Sequence, residues 1–143
     1  MPVTGPVSEL GGADAYHLAV GSAGDARHRR TLDEAARASG LDAAPPVPAS
    51  AVVSRGAALD PGVAVLAGAV VQVGARVGRS VIVNTASVIE HDAAVGAFSH
   101  VCPRAVVLGG AGVGEACHVG AGAVIVQGVR VGDGAVVGAG AVV

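Results

Sequence analysis

The sequence predicts a parallel β-helix of six-residue repeats with a small α/β segment in front of it. From Val47 to Val143 every sixth residue is Val, Ile or Leu, seventeen positions with no break in phase. Four residues after each, from Ala51 to Ala141, stand ten Ala, three Val, two Ser and one Cys. Hydrophobic residues make 52% of the chain but aromatic ones only 1%, so Val and Ala must fill a narrow, regular interior rather than one packed with rings. An amphipathic strand alternates with period two and a helix with period 3.6. A period of six with one large and one small inward residue describes a coil with short flat faces and tight corners. Three faces make a coil of eighteen residues, and coils stack through parallel strand pairing. At about 4.8 Å per coil, the tract gives about five coils. The glycines that follow the aliphatic position, such as Gly78, Gly96 and Gly114, are expected to ease the corners.

Residues 1–46 lack the repeat. Ala15 to Val20 reads as a short strand that ends at Gly21-Ser22. Asp25 to Ser39 reads as a helix, with Asp25 capping its start, Leu32, Ala35, Ala36 and Ala38 on its apolar side and Gly40 closing it. Arg27, His28, Arg29 and Arg30 are expected to decorate a solvated face, with phosphate contact as the other reading. One strand and one helix cannot bury a core alone, so this segment reads as the tail of a larger βα domain. Ala44-Pro-Pro-Val-Pro48 is a proline-stiffened linker. The expected division is therefore 1–46 and 47–143. The last coil stops at Ala141–Val143 without a cap, which predicts an incomplete chain.

Composition narrows the function. Nine Lys and Arg against eleven Asp and Glu give a formal charge of -2, so no basic footprint for nucleic acid exists. Gly and polar residues interrupt every apolar run before membrane-spanning length, and Met1–Leu10 shows no signal-peptide pattern. Cys102 and Cys117 occupy different repeat positions and lack zinc or CxxC spacing. They are expected to be reduced thiols in a cytoplasmic protein, with no metal.

Asn84, Glu90, His91, Asp92 and His100 fall within one coil of an otherwise Ala/Val/Gly tract. Asp92 can bond one ring nitrogen of His91 and favour the imidazolium, raising basicity above the ordinary value of about 6.5. The other nitrogen can then accept a proton from an amine or hydroxyl. A surface His-Asp pair without a role is the plain alternative. Residues eighteen apart share a column, so His100 aligns with His118, and Ile82 and Val136 continue that column. His91 is half a coil from His100, so one chain shows them on different faces, and a common site needs a neighbouring subunit. Arg76 and Arg130 share another column, which reads as solvated arginines or as a phosphate contact. Gly109-Gly-Ala-Gly-Val-Gly114 lies in the hexad register without a strand-to-helix context, which argues against a dinucleotide loop.

The segment IVNTASVIEHDAAVGAFSHVCPRAVVLGG, followed by VGAGAVIVQGVRVGDGAVVGAGAVV, resembles the hexapeptide-repeat sugar acetyltransferases of the sialic-acid O-acetyltransferase and UDP-4-amino-sugar N-acetyltransferase type. The resemblance covers about residues 3–143, most specifically 83–110. It implies a left-handed parallel β-helix (47–143) preceded by a remnant of a Rossmann-like nucleotide-sugar domain (1–46), acetyl-CoA as co-substrate, and a homotrimer. Carried over by position, His91 is the general base and Asp92 the acid that orients it. Asn84 lies near the acceptor sugar, His100 contacts the acetyl-CoA end, and the Gly109 N–H meets the thioester carbonyl. The Gly-rich first βα turn, the acidic residues that hold the nucleotide, and the closing C-terminal segment of the family are absent from the sequence.

The function these features predict is acetyl transfer from acetyl-CoA to an amino or hydroxyl group of a nucleotide-linked sugar, by direct attack. The alternatives are a non-catalytic scaffold fragment, or a metal-dependent enzyme of the γ-carbonic-anhydrase type using His91, His100 and His118.

Overall fold

The computed structural model describes residues 14–18, 20–21, 25–44 and 47–143. Ala19, Ser22 and the linker residues Pro45 and Pro46 lie outside them, as do residues 1–13. The repeat forms fifteen two-residue strands at a strict six-residue spacing, grouped into three parallel five-stranded sheets. The first face holds β3 (Val52–Val53), β6 (Val70–Val71), β9 (Val88–Ile89), β12 (Val106–Val107) and β15 (Val124–Ile125). The second holds β4 (Ala58–Leu59), β7 (Arg76–Val77), β10 (Ala94–Val95), β13 (Gly112–Val113) and β16 (Arg130–Val131). The third holds β5 (Ala64–Val65), β8 (Ile82–Val83), β11 (His100–Val101), β14 (His118–Val119) and β17 (Val136–Val137). Each strand pairs with the one three strands on, His100 with His118 for example. The molecule is thus a left-handed β-helix of about five turns, a triangular prism.

The inward pattern explains the composition. The second residue of each strand and the small residue four positions later fill the interior, from Val65 and Ala69 through to Ile125. Polar residues at the small position bond the backbone: Ser87 Oγ donates to the Asn84 carbonyl at 2.7 Å and Ser99 Oγ to that of Gly114 at 2.7 Å. At the ends the pattern outruns the strands. Val47 is exposed ahead of β3, and Val142 makes only an isolated bridge to Val124. The expected role of the glycines is corrected. The left-handed corner conformation falls three residues after the aliphatic position, at Gly74 and Gly110 but also at Asp92 (φ 59°). Gly78 and Gly96 are needed for another reason, because a Cβ there would run into the backbone of the next coil.

The front segment is a βαβ unit rather than one strand and one helix. β1 (Ala15–Tyr16) pairs in parallel with β2 (Asp42–Ala43), joined by α1 (Arg27–Ala38). The first strand is shorter than Ala15–Val20. The N-cap is Ala26, and Asp25 sits one residue earlier, where its carboxylate accepts the Arg27 N–H at 2.9 Å. The expected apolar stripe is also corrected: the buried helix residues are Arg29, Asp33 and Ala36, while Ala38 is exposed. The spacing i, i+4, i+7 is that of one face, but it docks through charge.

The expectation of a solvated arginine cluster therefore fails at Arg29, which is 2% exposed. Its guanidinium donates to the carbonyls of Ser80 and Phe98, two corner residues of adjacent coils. Arg30 stacks over the Phe98 ring at 4.7 Å and reaches Glu115 at 3.3 Å. Asp33 accepts from Tyr16 Oη (2.7 Å), Ser80 Oγ (2.9 Å) and Arg79 Nε (2.8 Å). Burial works to raise the Asp33 carboxyl, but the bonds from Arg79, Tyr16 and Ser80 outweigh it and hold it below the usual range. Burial and the Asp33 bond push Tyr16 up.

These shifts set a pH window for docking. A depressed Asp33 contributes stability that is complete above about pH 4 and lost as pH falls through its folded value. A raised Tyr16 contributes stability that is complete below about pH 10 and lost as pH rises further. Urea titrations followed by the helical circular-dichroism signal of α1 are expected to show a plateau between those limits and loss outside them. A Tyr16→Phe variant is expected to remove the alkaline loss and, by taking one donor from Asp33, to shrink the acid-side loss as well.

Candidate active site

His91 and Asp92 occupy the corner between the first and second faces, just after β9. Asp92 adopts a left-handed conformation (φ 59°), which Asp tolerates better than most residues and which turns its carboxylate back toward the preceding side chain. Its Oδ2 lies 3.0 Å from His91 Nδ1. That bond raises the His91 imidazole above its ordinary value; desolvation opposes the shift, and the charges of Asp92 and Glu90 add to it. With Nδ1–H donating to Asp92, Nε2 carries the lone pair.

That nitrogen lies against Gly109, one coil on. A Cβ built on Gly109 would come 2.6 Å from His91 Nε2 and 2.7 Å from Cε1. The missing side chain is what lets the imidazole approach the neighbouring coil this closely. The Gly110 N–H donates to the His91 carbonyl at 3.0 Å, locking the two corners together. Among the described residues no backbone carbonyl accepts the Gly109 N–H, which leaves a donor beside the His91 imidazole. Gly109→Ala is expected to leave the melting temperature nearly unchanged, because the exposed His91 ring can swing away. Turnover is expected to fall together with His91 function. Unaltered turnover would mean that the close approach has no role.

Asn84 and His100 form a second group, on the third face. Asn84 Oδ1 accepts the Thr85 N–H at 2.7 Å, which fixes the amide orientation. Its Nδ2 therefore donates to His100 Nε2 at 2.9 Å, and His100 is held with that nitrogen unprotonated. The same diagonal recurs one coil on, where Cys102 Sγ lies 3.5 Å from His118 Nε2. Burial pushes the Cys102 thiol up, so it is neutral by itself. A cavity of about 300 Å³ opens beside Asn84 and His100, and residues His17, Leu18 and Val20 of the front segment close its other side.

In a triangular prism the corner between two faces is opposite the third. His91 and His100 therefore point away from each other on one chain. Three histidines do not converge within one chain, so the metal site of His91, His100 and His118 is not formed there. Arg76 and Arg130 do share a column, through Ala94 and Gly112, and both are exposed. The Gly109–Gly114 stretch is a corner followed by β13, not a loop opening a helix.

The chain superimposes on the acetyltransferase domain of PglB from Neisseria gonorrhoeae FA1090, solved in complex with acetyl coenzyme A. The TM-score is 0.91 and the identity 37%, over 99% of this chain and 70% of that one. This chain belongs to the hexapeptide-repeat sugar acetyltransferases. A mutant of perosamine N-acetyltransferase from Caulobacter crescentus, in complex with CoA and GDP-perosamine, matches this chain with TM-score 0.90 and 36% identity. That match covers 96% of this chain and 65% of the other. WeeI from Acinetobacter baumannii AYE shares the fold, with TM-score 0.63 and 18% identity over 95% of this chain and 70% of that one. No family sequence model and no curated protein matches it. The chain spans about two thirds of the length of these relatives.

Within this acetyltransferase scaffold, sequence reasoning missed the pairing of Cys102 with His118 and the position of His17 by Asn84. The first had a signal, a sixteen-residue diagonal repeated from Asn84–His100. The second needed the docking of the front segment.

Proposed function

We propose that this protein transfers the acetyl group of acetyl-CoA to the amine of a nucleotide-linked amino sugar, with His91 as general base. The observation that carries the reading is the His91 Nε2 seated on Gly109, with Asp92 at Nδ1, in a chain of this family. The acceptor nitrogen attacks the thioester carbonyl carbon while His91 Nε2 takes the proton it sheds. Asp92 stabilises the imidazolium that results. The Gly109 N–H donates to the oxygen as negative charge develops on it. The C–S bond then breaks, and the CoA thiolate leaves and takes up the proton from the imidazolium. Proton transfer of this kind contributes about 10²–10⁴ in rate.

His100, held by Asn84, contacts the acetyl-CoA end, and Asn84 lies near the acceptor. Since His91 and His100 sit on opposite sides of one prism, a complete site joins His91 of one chain to His100 of a neighbour, and a homotrimer suits the triangular section. Residues 1–46 serve as part of a nucleotide-sugar-binding domain, and 47–143 carry the chemistry. Binding of CoA and GDP-perosamine by a relative 36% identical supports both substrates. A cytoplasmic location, where acetyl-CoA is made, completes the reading.

The test follows free thiol when acetyl-CoA is mixed with GDP-perosamine or another nucleotide-linked 4-amino sugar. Acceptor-dependent release is expected. Binding of CoA with no release for any such acceptor would sink the proposal. Mixing inactive His91→Ala chains with inactive His100→Ala chains is expected to restore turnover, because mixed assemblies contain sites with both imidazoles intact. No recovery would place the whole site in one chain.

A further inference from the structure

We propose that His100, Cys102 and His118 form a binding site for a zinc-type divalent cation. The three side chains come from two adjacent coils of the third face, and one ligand atom from each lies within 4.8 Å of the others. Their placement follows from the coil. His100 and His118 pair in register on neighbouring strands, and Cys102 starts the corner after β11, so its thiol leans across to the next coil.

The distances match a known coordination chemistry. A tetrahedral zinc with bonds of about 2.3 Å to sulfur and about 2.0 Å to nitrogen holds those atoms about 3.5 Å apart. Cys102 Sγ and His118 Nε2 are 3.5 Å apart. The His100 and His118 rings meet edge to face, at 89° and 5.4 Å between centroids. A ligand nitrogen of His100 lies within 4.8 Å of the other two ligand atoms, so binding draws His100 inward at the expense of its bond with Asn84. One thiolate and two imidazoles suit zinc and its softer neighbours and disfavour magnesium or calcium. Three protein ligands leave a fourth position, and of the three only His100 also lines the cavity beside Asn84. On binding, the Cys102 S–H bond breaks, its proton goes to solvent, and the sulfur keeps the electron pair that forms the bond to the cation.

The chemistry of the site separates this proposal from a chance stack. Cobalt(II) added to the reduced protein is expected to give an intense thiolate-to-metal absorption band with about one cobalt per chain. Cys102→Ser is expected to abolish the band. It should fold normally, because its position is equivalent to that of polar Asn84, one coil earlier. Cys117→Ser is expected to keep the band, since Cys117 points into the core with Sγ 3.0 Å from the Gly132 carbonyl. His118→Gln is expected to weaken zinc binding by more than the roughly 10–100-fold typical of an outer-shell change. Absence of the band in the native protein, or its persistence in Cys102→Ser, overturns the proposal.

A consequence rests on the acetyltransferase reading. Zinc that takes His100 removes the imidazole from the acetyl-CoA end, so the cation inhibits turnover and Cys102→Ser relieves the inhibition. Inhibition that is equal in both proteins would overturn this link. The cobalt spectrum needs no activity, so failure of the metal site and failure of the enzymatic reading give different results.

Discussion

His91→Ala is expected to lower acetyl transfer at least about 100-fold, within the 10²–10⁴ range for general-base catalysis. The melting temperature should stay within experimental scatter, because the His91 ring is half exposed and makes one side-chain bond, to Asp92. The companion variant is Asp92→Asn, which keeps a residue tolerant of the left-handed backbone and removes only the charge. A base works when it is neutral, so activity rises with pH through the His91 value. In the native protein that midpoint is expected above the ordinary imidazole value, because the Asp92 bond raises it. In Asp92→Asn it is expected to move down while the plateau rate falls. A normal rate for His91→Ala, or an acid limb that stays put in Asp92→Asn, would reject the assigned roles.

Asp33→Ala is expected to carry the largest effect on stability. Removing one partner of a buried ion pair costs about 3–5 kcal/mol, because the other charge is left without compensation. The lower end applies here, since the Arg79 side chain is 23% exposed and can recover water. Tyr16 and Ser80 lose an acceptor at the same time, and Arg29, whose Nε already lacks a hydrogen-bond partner, loses the neighbouring anion. The βαβ unit should come away while the solenoid keeps its strands. Limited proteolysis is expected to cut between residues 25 and 48 in the variant and to spare residues 52–137. Equal resistance in both proteins would mean that the apolar contacts of α1 suffice to seat it.

The geometry that was legible in the sequence shares one property. The solenoid and the hydrogen bond between His91 and Asp92 are strictly periodic or local, so residue type and spacing carry the whole signal. Arg29 and Asp33 were illegible for the opposite reason. Charged residues four apart on a helix are ordinarily solvated, and only the docked coil supplies the carbonyls of Ser80 and Phe98 that accept from Arg29. β2 is two residues long, too short for any pattern. Cys102 and His118 become neighbours only once the coil length is known, after which the diagonal from Asn84 to His100 predicts them. Gly109 was placed by resemblance, and its physical reason, the imidazole lying where a Cβ would be, required the stacked corner.

The chain holds one tyrosine, one phenylalanine and no tryptophan. Tyr16 bonds to Asp33 beside Arg79, and Phe98 lies beneath Arg30, so both rings sit on the seam between the two parts. Every intrinsic ultraviolet chromophore of any strength therefore looks at that seam, and the solenoid interior is optically silent. Tyrosine emission from this protein measures whether the front unit is seated, not whether the coil has melted. A fluorescence melt and a circular-dichroism melt will follow different events in the same tube.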